Sequence, residues 1–376
     1  MTEKKKLSGA GLRGQSAGET ALCTVGKTGA GLTYRGYSIE TLADNASFEE
    51  VAYMLLYGKL PNAAELAQYK TRLTGMRALP DALKACLELI PASAHPMDVM
   101  RTGCSMLGNL ETEGHFSEQI DKVDRMLALF PSIITYWYRF SHQGVRIETA
   151  TDHDSIGAHF LYCLLGEEPS ELHTRVMDVS LILYAEHEFN ASTFTARVCA
   201  STLSDIHSTI TGAIGSLRGP LHGGANEAAM ELIEQYDTAD QASKGVLSLL
   251  EKKQKIMGFG HRVYTTSDPR NSVNKRMSKV LSEEVGDKKL YAVSEAIESV
   301  MWNEKKLFAN ADFFAASVYH FMGIPTYLFT PIFVCSRITG WAAHIMEQRE
   351  NNKLIRPAAE YNGPNLQAWL PINKRS

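Results

Sequence analysis

A chain of 376 residues with 44% hydrophobic content can bury one large core or two medium ones, which excludes a disordered chain. Its 38 lysines and arginines against 42 aspartates and glutamates give a net charge of −4, so no global basic field exists for nucleic acid. Six scattered cysteines without a CxxC pair argue against a disulfide framework and a zinc site, and fit a reducing, cytoplasmic compartment.

The first fourteen residues, MTEKKKLSGAGLRG, carry lysines with no apolar run behind them, so no secretory signal is expected. Within them GAGLRG (9–14) satisfies GxGxxG, but no strand before it and no βαβ unit after it is expected, and we read no nucleotide fingerprint there. Alternation in TALCTV (20–25) and GLTYRGYSI (31–39) predicts a small β element.

Beyond it, apolar residues recur at three- and four-residue spacing. EEVAYMLLYGKL (49–60), VDRMLALFPSIITYWYRFS (123–141), RVMDVSLILYAEHE (175–188) and RMSKVLSEEV (276–285) all predict helices. Gly58 is a helix stop, and GEEPSE (166–171) separates two helices, with Pro169 near the first turn of the second. The longest apolar stretch, FFAASVYHFMGIPTYLFTPIFVC (313–335), contains His320, Pro325 and Pro331. It predicts a buried helix, a turn and a second helix start, not a membrane span. The expected class is mainly α, with a large helical domain from 1–217 and 324–376 and a smaller helical domain, 218–323, inserted in it. Glycines and prolines in GAIGSLRGPLHGG (212–224) and GIPTYLFTP (323–331) are the expected hinges.

Ionisable side chains gather at glycines and helix starts in four segments: GPLHGGANE (219–227), GFGHRVYTTSDPRN (258–271), ANADFF (309–314) and SRITGW (336–341). His222 precedes a helix expected from 225; flanking glycines let the backbone approach a ligand, and a neutral imidazole there can donate to a developing enolate. A loop histidine serving a cap reads equally well. His261 has a similar setting, with Arg270 nine residues on and the amides of 257–260 open to a flat ring or a phosphate. The alternative is a surface turn with a basic rim. Asp312 is expected to cap the helix that follows, while Phe308, Phe313 and Phe314 would desolvate its carboxyl toward the pKa of a general base. Arg337 and Arg356 fall where amphipathic helices are expected to end or begin, and singly each fits an ion-paired surface side chain. His187 in AEHEFNAST (185–193) lies late in an apolar helix, where a satisfied core histidine is the simplest reading. The spacing is not HExxH, so zinc hydrolysis is rejected.

Taken in order, HEFNAST (187–193), GPLHGGANE, GFGHRVY (258–264), DPR (268–270), NAD (310–312), SRITGW and RP (356–357) resemble the citrate synthase family over nearly the whole chain. Residues 12–43, VMRTGCSMLG (99–108) and RPAAEYNGP (356–364) resemble its 2-methylcitrate branch. The resemblance implies a mostly helical homodimer whose two domains close over oxaloacetate and a coenzyme A thioester, propionyl-CoA in that branch. No metal and no permanently bound cofactor is implied.

Carried over motif by motif, the resemblance implies that His222 binds the thioester carbonyl, Asp312 removes the α-proton, and His261 hydrogen-bonds and protonates the ketone of oxaloacetate. His187, Arg270 and Arg337 would hold the oxaloacetate oxygens, and Arg356 would reach across from the second subunit. Lys255, Ile256, Met257, Gly258 and Phe259 would receive the adenine end of coenzyme A, with Arg262 on a phosphate. Tyr184 and the small Ala311 beside the implied base are the candidate acyl pocket. The implied product is 2-methylcitrate. Acetyl-CoA giving citrate is the alternative, and a non-catalytic helical dimer that binds a CoA ester or a dicarboxylate is the competing class. The chemistry suits these residue types: an enolate must be stabilised by a donor as it forms, and two carboxylates ask for bidentate guanidinium groups.

Overall fold

The computed structural model describes residues 10–12, 15–26 and 31–375. Gly9, Arg13 and Gly14 of the GAGLRG segment, with the lysine-bearing residues before it, lie outside the described residues. Three short antiparallel strands come first, β1 (Cys23–Val25), β2 (Leu32–Tyr34) and β3 (Tyr37–Ser38), with Cys23 opposite Tyr34 and Thr33 opposite Ser38. The β2–β3 turn uses left-handed Arg35 (φ 45°) and Gly36 (φ 89°), as a two-residue hairpin requires. This is the β element expected from the alternation. Its buried face includes Tyr34, whose hydroxyl donates to Ile182 O at 3.1 Å.

Among the described residues the other regular elements are helices. The chain runs through α1 (Ile39–Asn45), α2 (Phe48–Tyr57), α3 (Ala63–Thr74), α4 (Asp81–Glu88), α5 (Pro96–Leu110) and α6 (Gln119–Gln143). It continues with α7 (Ile156–Leu165), α8 (Glu171–Tyr184), α9 (Ala191–Ser201), α10 (Ile206–Leu217), α11 (Ala225–Ile233) and α12 (Ala239–Glu251). The last four are α13 (Pro269–Glu284), α14 (Lys288–Lys305), α15 (Ala311–Phe321) and α16 (Phe329–Glu350). Their ends follow local chemistry. Ser47 with Glu50, and Asn62 with Glu65, form capping boxes, and left-handed Gly58 and Gly166 close α2 and α7. Pro169 sits just outside α8, before its cap Ser170.

Helix α16 forms the spine of the core: Phe329 through Ile345 are all buried, and it packs on α6, α8 and α9. A helix without a polar face belongs in the interior. Pro331 lies in its first turn, where a missing N–H costs little. The long apolar stretch therefore divides into α15, a short turn at Thr326–Leu328 and α16, as expected. Among the described residues no helix is long and apolar enough to cross a membrane.

Two expectations from periodicity need correction. Helix α8 stops at Tyr184, so His187 lies beyond it, in the connection to α9. The apolar pattern ran on because Ala185, Glu186 and His187 are as buried as the helix itself. Arg337 is not at a helix end either; it lies in the middle of α16, and only 1% of its surface is exposed.

Candidate active site

Asp312 is the second residue of α15, and it does not cap that helix. Asn310 is the cap, its Oδ1 accepting from the Asp312 N–H at 3.0 Å. The Asp312 carboxyl is thereby freed from helix capping. Tyr184 donates its hydroxyl to Asp312 Oδ1 at 2.9 Å and lies 3.2 Å from Ala311 O. Desolvation pushes the Asp312 pKa above the ordinary carboxylate range; the Arg270 charge and the Tyr184 bond pull it part of the way back. A carboxyl so poised suits proton abstraction.

Two of the three histidines, His222 and His261, can be assigned tautomers from their donors, because a backbone N–H can only donate. His222 Nε2 lies 3.2 Å from Ser192 N, in the first turn of α9, and 2.8 Å from Ser192 Oγ. Its neutral ring then carries the proton on Nδ1. Trp341 fixes Ser192 in turn, its indole N–H donating to Oγ at 3.0 Å. His261 Nδ1 accepts from Val263 N at 3.0 Å and Tyr264 N at 3.1 Å, so its proton is on Nε2. Burial, then a nearby guanidinium (Arg337 for His222, Arg270 for His261), lowers both pKa values to about 4. His187 is held well below its ordinary value, first by burial and then by Arg270. Its Nε2 lies 3.1 Å from the Tyr264 hydroxyl, and its ring meets that of His261 edge-on at 5.1 Å. The site thus offers neutral rings with N–H donors.

Two buried guanidinium groups supply positive charge. Asp268 caps α13 and pairs with Arg270 through Nε (3.0 Å) and Nη2 (2.8 Å), and its Oδ2 also accepts from Ala311 N at 3.1 Å. That carboxylate more than offsets the burial of Arg270 and keeps its pKa raised. Arg337 donates Nε to Tyr184 O at 2.6 Å and lies 4.6 Å over the Phe333 ring. Phe333 also meets Tyr184 at 4.5 Å and His222 at 6.5 Å, so one ring joins all three.

The glycine-flanked loop is pinned to the approach of α15. Gly260 N donates to Phe308 O at 2.8 Å, and Asn310 N donates to Gly258 O at 2.9 Å. A Cβ on left-handed Gly258 would come within 3.0 Å of Phe313 Cβ, so the close approach requires glycine here. Within this loop Ile256 and Gly258 are buried, Met257 and Phe259 half-buried and Lys255 exposed. Arg262 is exposed and donates to Gly11 O at 3.3 Å.

His187, His222, His261, Arg270, Asp312, Arg337 and Tyr184 therefore share one neighbourhood. Arg356 does not join them within one chain: it is exposed, in a tail after α16 whose Leu354, Tyr361, Leu366, Trp369 and Ile372 are exposed too. A surface cavity of about 610 Å³ lies elsewhere, between residues 147–153 and the end of α7. Among the described residues no three histidine, cysteine or acidic side chains stand together as metal ligands.

Sequence reasoning quoted Ser192, Tyr264, Asp268 and Asn310 inside their motifs without giving them a role, and it singled out nothing at Phe333. Phe333 had a signal, since it lies four residues before Arg337 on the same helix face.

The family described as "Citrate synthase, C-terminal domain" matches residues 11–358. A 2-methylcitrate synthase of Shewanella oneidensis is 69% identical over 375 residues, covering 100% of both chains. Citrate synthase 2 of Bacillus subtilis is 46% identical, covering 92% of this chain and 94% of its own. The citrate synthase of Thermoplasma acidophilum, solved as a ternary complex with carboxymethyl coenzyme A and oxaloacetate, superposes with a TM-score of 0.89 at 32% identity. That alignment covers 97% of this chain and 98% of the other.

Proposed function

The chain belongs to the citrate synthase family, and from that premise we propose that it condenses propionyl-CoA with oxaloacetate and water to give 2-methylcitrate and free coenzyme A. The observation that carries the reading is a carboxyl of raised pKa, Asp312, in one half-buried cluster with two neutral imidazoles that present N–H donors.

In this proposal Asp312 takes the α-proton of the thioester while His222 Nδ1–H donates to the thioester oxygen, so the enolate is stabilised as it forms. The α-carbon attacks the ketone carbon of oxaloacetate, and His261 Nε2–H gives its proton to the ketone oxygen. His187, Arg270 and Arg337 hold the dicarboxylate. Water then attacks the thioester carbonyl, the C–S bond breaks, and coenzyme A leaves as the thiol. Residues 218–323 would form the mobile half that carries His222, His261 and Asp312, with the loop Lys255–Phe259 and Arg262 against coenzyme A. Closure on the remainder keeps water out until the carbon–carbon bond exists. A second copy would cover the apolar tail beyond α16 and receive Arg356, which supports a homodimer.

Thiol release with oxaloacetate, comparing kcat/KM for propionyl-CoA and acetyl-CoA, tests the reading. A propionyl preference supports it. An acetyl preference returns the protein to citrate synthesis, and no release from either leaves a binding protein. One methylene is worth only about 1–3 kcal/mol, so activity on both substrates is expected. Tyr184 and Ala311 are the proposed acyl pocket, because Ala311 adjoins the base and Tyr184 touches both residues. Ala311→Leu is expected to lower the propionyl-to-acetyl ratio of kcat/KM, and an unchanged ratio sinks the pocket assignment.

Tyr184→Phe makes a pH prediction. The lost hydrogen bond lowers the Asp312 pKa, so its removal raises that pKa, and only the carboxylate form can accept a proton. The acid limb of kcat/KM therefore moves to higher pH. A limb that stays in place, measured with either acyl-CoA, rules that role out.

A further inference from the structure

From Glu186, the residue before His187, runs a chain of polar groups that the condensation leaves unused. His344 and Glu186 are both fully buried, with His344 Nε2 2.8 Å from Glu186 Oε1. At the other edge of the ring, Arg197 Nη1 lies 3.0 Å from His344 Nδ1 and 2.7 Å from Glu347 Oε2. Glu347 ties the chain to the start of the sheet, its Oε1 accepting from Ala21 N at 2.8 Å. A guanidinium has donors only, so His344 Nδ1 must accept. The proton of its ring is then on Nε2, and the direction of the bond is settled: His344 donates to Glu186.

Two features show what this pair grips. The residues on both sides of His187 are held by it: Glu186 by the hydrogen bond, and Phe189 by an edge-on contact with the His344 ring at 5.5 Å and by Arg197 at 4.5 Å over its face. Between them Glu188 takes the left-handed conformation (φ 52°), which an ordinary residue adopts only when its surroundings hold it there. The second feature is Glu186 Oε2, buried without a hydrogen-bond donor. It occupies space that a side chain at position 340 would need: a Cβ on Gly340 would fall 2.2 Å from it. A buried carboxylate oxygen left bare is costly and calls for a reason. Arg337, one turn before Gly340, supplies one: Glu186 is the foremost favourable charge acting on its guanidinium.

We propose that His344 and Glu186 form a positioning pair for the dicarboxylate, turning His187 toward the substrate and giving Arg337 its counter-charge while the site is empty. The inference rests on the proposed role of His187 and Arg337 in holding oxaloacetate. The pair itself touches no substrate.

The test compares His344→Gln, whose amide keeps an N–H for Glu186 and an oxygen for Arg197, with His344→Leu, which keeps bulk alone. Outer partners that orient a metal-bound histidine are typically worth about 10–100-fold, and an effect of that order is expected here. His344→Leu should raise the KM for oxaloacetate by that factor and weaken oxaloacetate binding in calorimetry, with little change in the KM for propionyl-CoA. His344→Gln should recover most of the loss. Both KM values rising together, no change in either, or Gln behaving as Leu would overturn the pair. Should His344→Leu fail to fold, His344→Asn, one methylene too short to span both partners, replaces it against Gln. His187→Ala run in parallel separates the two readings. If it weakens oxaloacetate binding while His344→Leu does not, only the positioning pair falls; if it leaves binding intact, the role given to His187 falls first.

Discussion

Replacing Asp312 with asparagine is expected to lower kcat by at least about 10²–10⁴-fold, the usual worth of a positioned general base, while oxaloacetate still binds. The substitution is unusually clean here. Asn310, not Asp312, caps α15, so the helix start does not depend on the carboxylate. Tyr184 can still donate to the amide oxygen, so its buried hydroxyl keeps a partner. What disappears is the basic atom proposed to take the α-proton, so enolate formation should fail. Binding of the dicarboxylate, assigned to His187, Arg270 and Arg337, should be unaffected or tightened by loss of a nearby negative charge. Steady-state kinetics beside calorimetric titration with oxaloacetate separates the two quantities. Near-normal turnover would remove Asp312 as the base.

Asp268→Asn is expected to cost stability on a scale of about 3–5 kcal/mol, since it leaves the Arg270 guanidinium buried without its counter-ion. Asparagine can still cap α13, so the cap is not what is lost. The loss is electrostatic: of the two side-chain bonds to Arg270 at 3.0 and 2.8 Å one remains, and an amide nitrogen in place of Oδ2 faces two donors, Arg270 Nη2 and Ala311 N. The sign with pH follows. Arg270 holds the folded-state pKa of Asp268 below its ordinary value, so the carboxylate stabilises the fold above the unfolded pKa and that contribution fades as pH falls through the folded one. The gap between wild type and variant should therefore be widest near neutrality and close in acid. Denaturant unfolding at pH 7, and again well below the ordinary aspartate value of 3.8, measures it. Oxaloacetate, whose carboxylates are proposed to meet Arg270, should stabilise the variant more than the wild type. A difference below about 1 kcal/mol at pH 7 would place the pair among ion pairs of surface strength.

Much of this architecture could be read from residue order, because it rests on local rules. Glycine stops and apolar spacing act within a few residues, and they foretold a mainly helical chain, the small sheet and the break in the long apolar stretch. The errors came where tertiary contacts override local signals. Asp312 looks like a cap in ANADFF, yet Asn310 two residues earlier takes the amide. Arg337 looked peripheral, since nothing local says that α16 is enclosed on all sides. His187 seemed helical because burial continued past the last helical hydrogen bond. The roles of Tyr264, Asp268 and Phe333 depend on partners brought close only by folding, such as the 77 residues separating His187 from Tyr264. Arg356 stays apart from the other candidates in a single chain.

Helix α16 carries Phe333, Arg337, Gly340, His344 and Glu347 at successive steps of four, three, four and three residues. That spacing stacks them along one stripe of a rigid cylinder, each turn assigned to a different part of the site or its support. The heritable unit is therefore a set of distances as much as a set of letters. Inserting or deleting a single residue anywhere between 333 and 347 would swing everything downstream by about 100°. The aromatic ring, the guanidinium, the gap at Gly340 and the imidazole would lose alignment together, whichever side chains were kept. The tail after 351 has no such vernier to preserve, so length changes should accumulate there and stay out of α16.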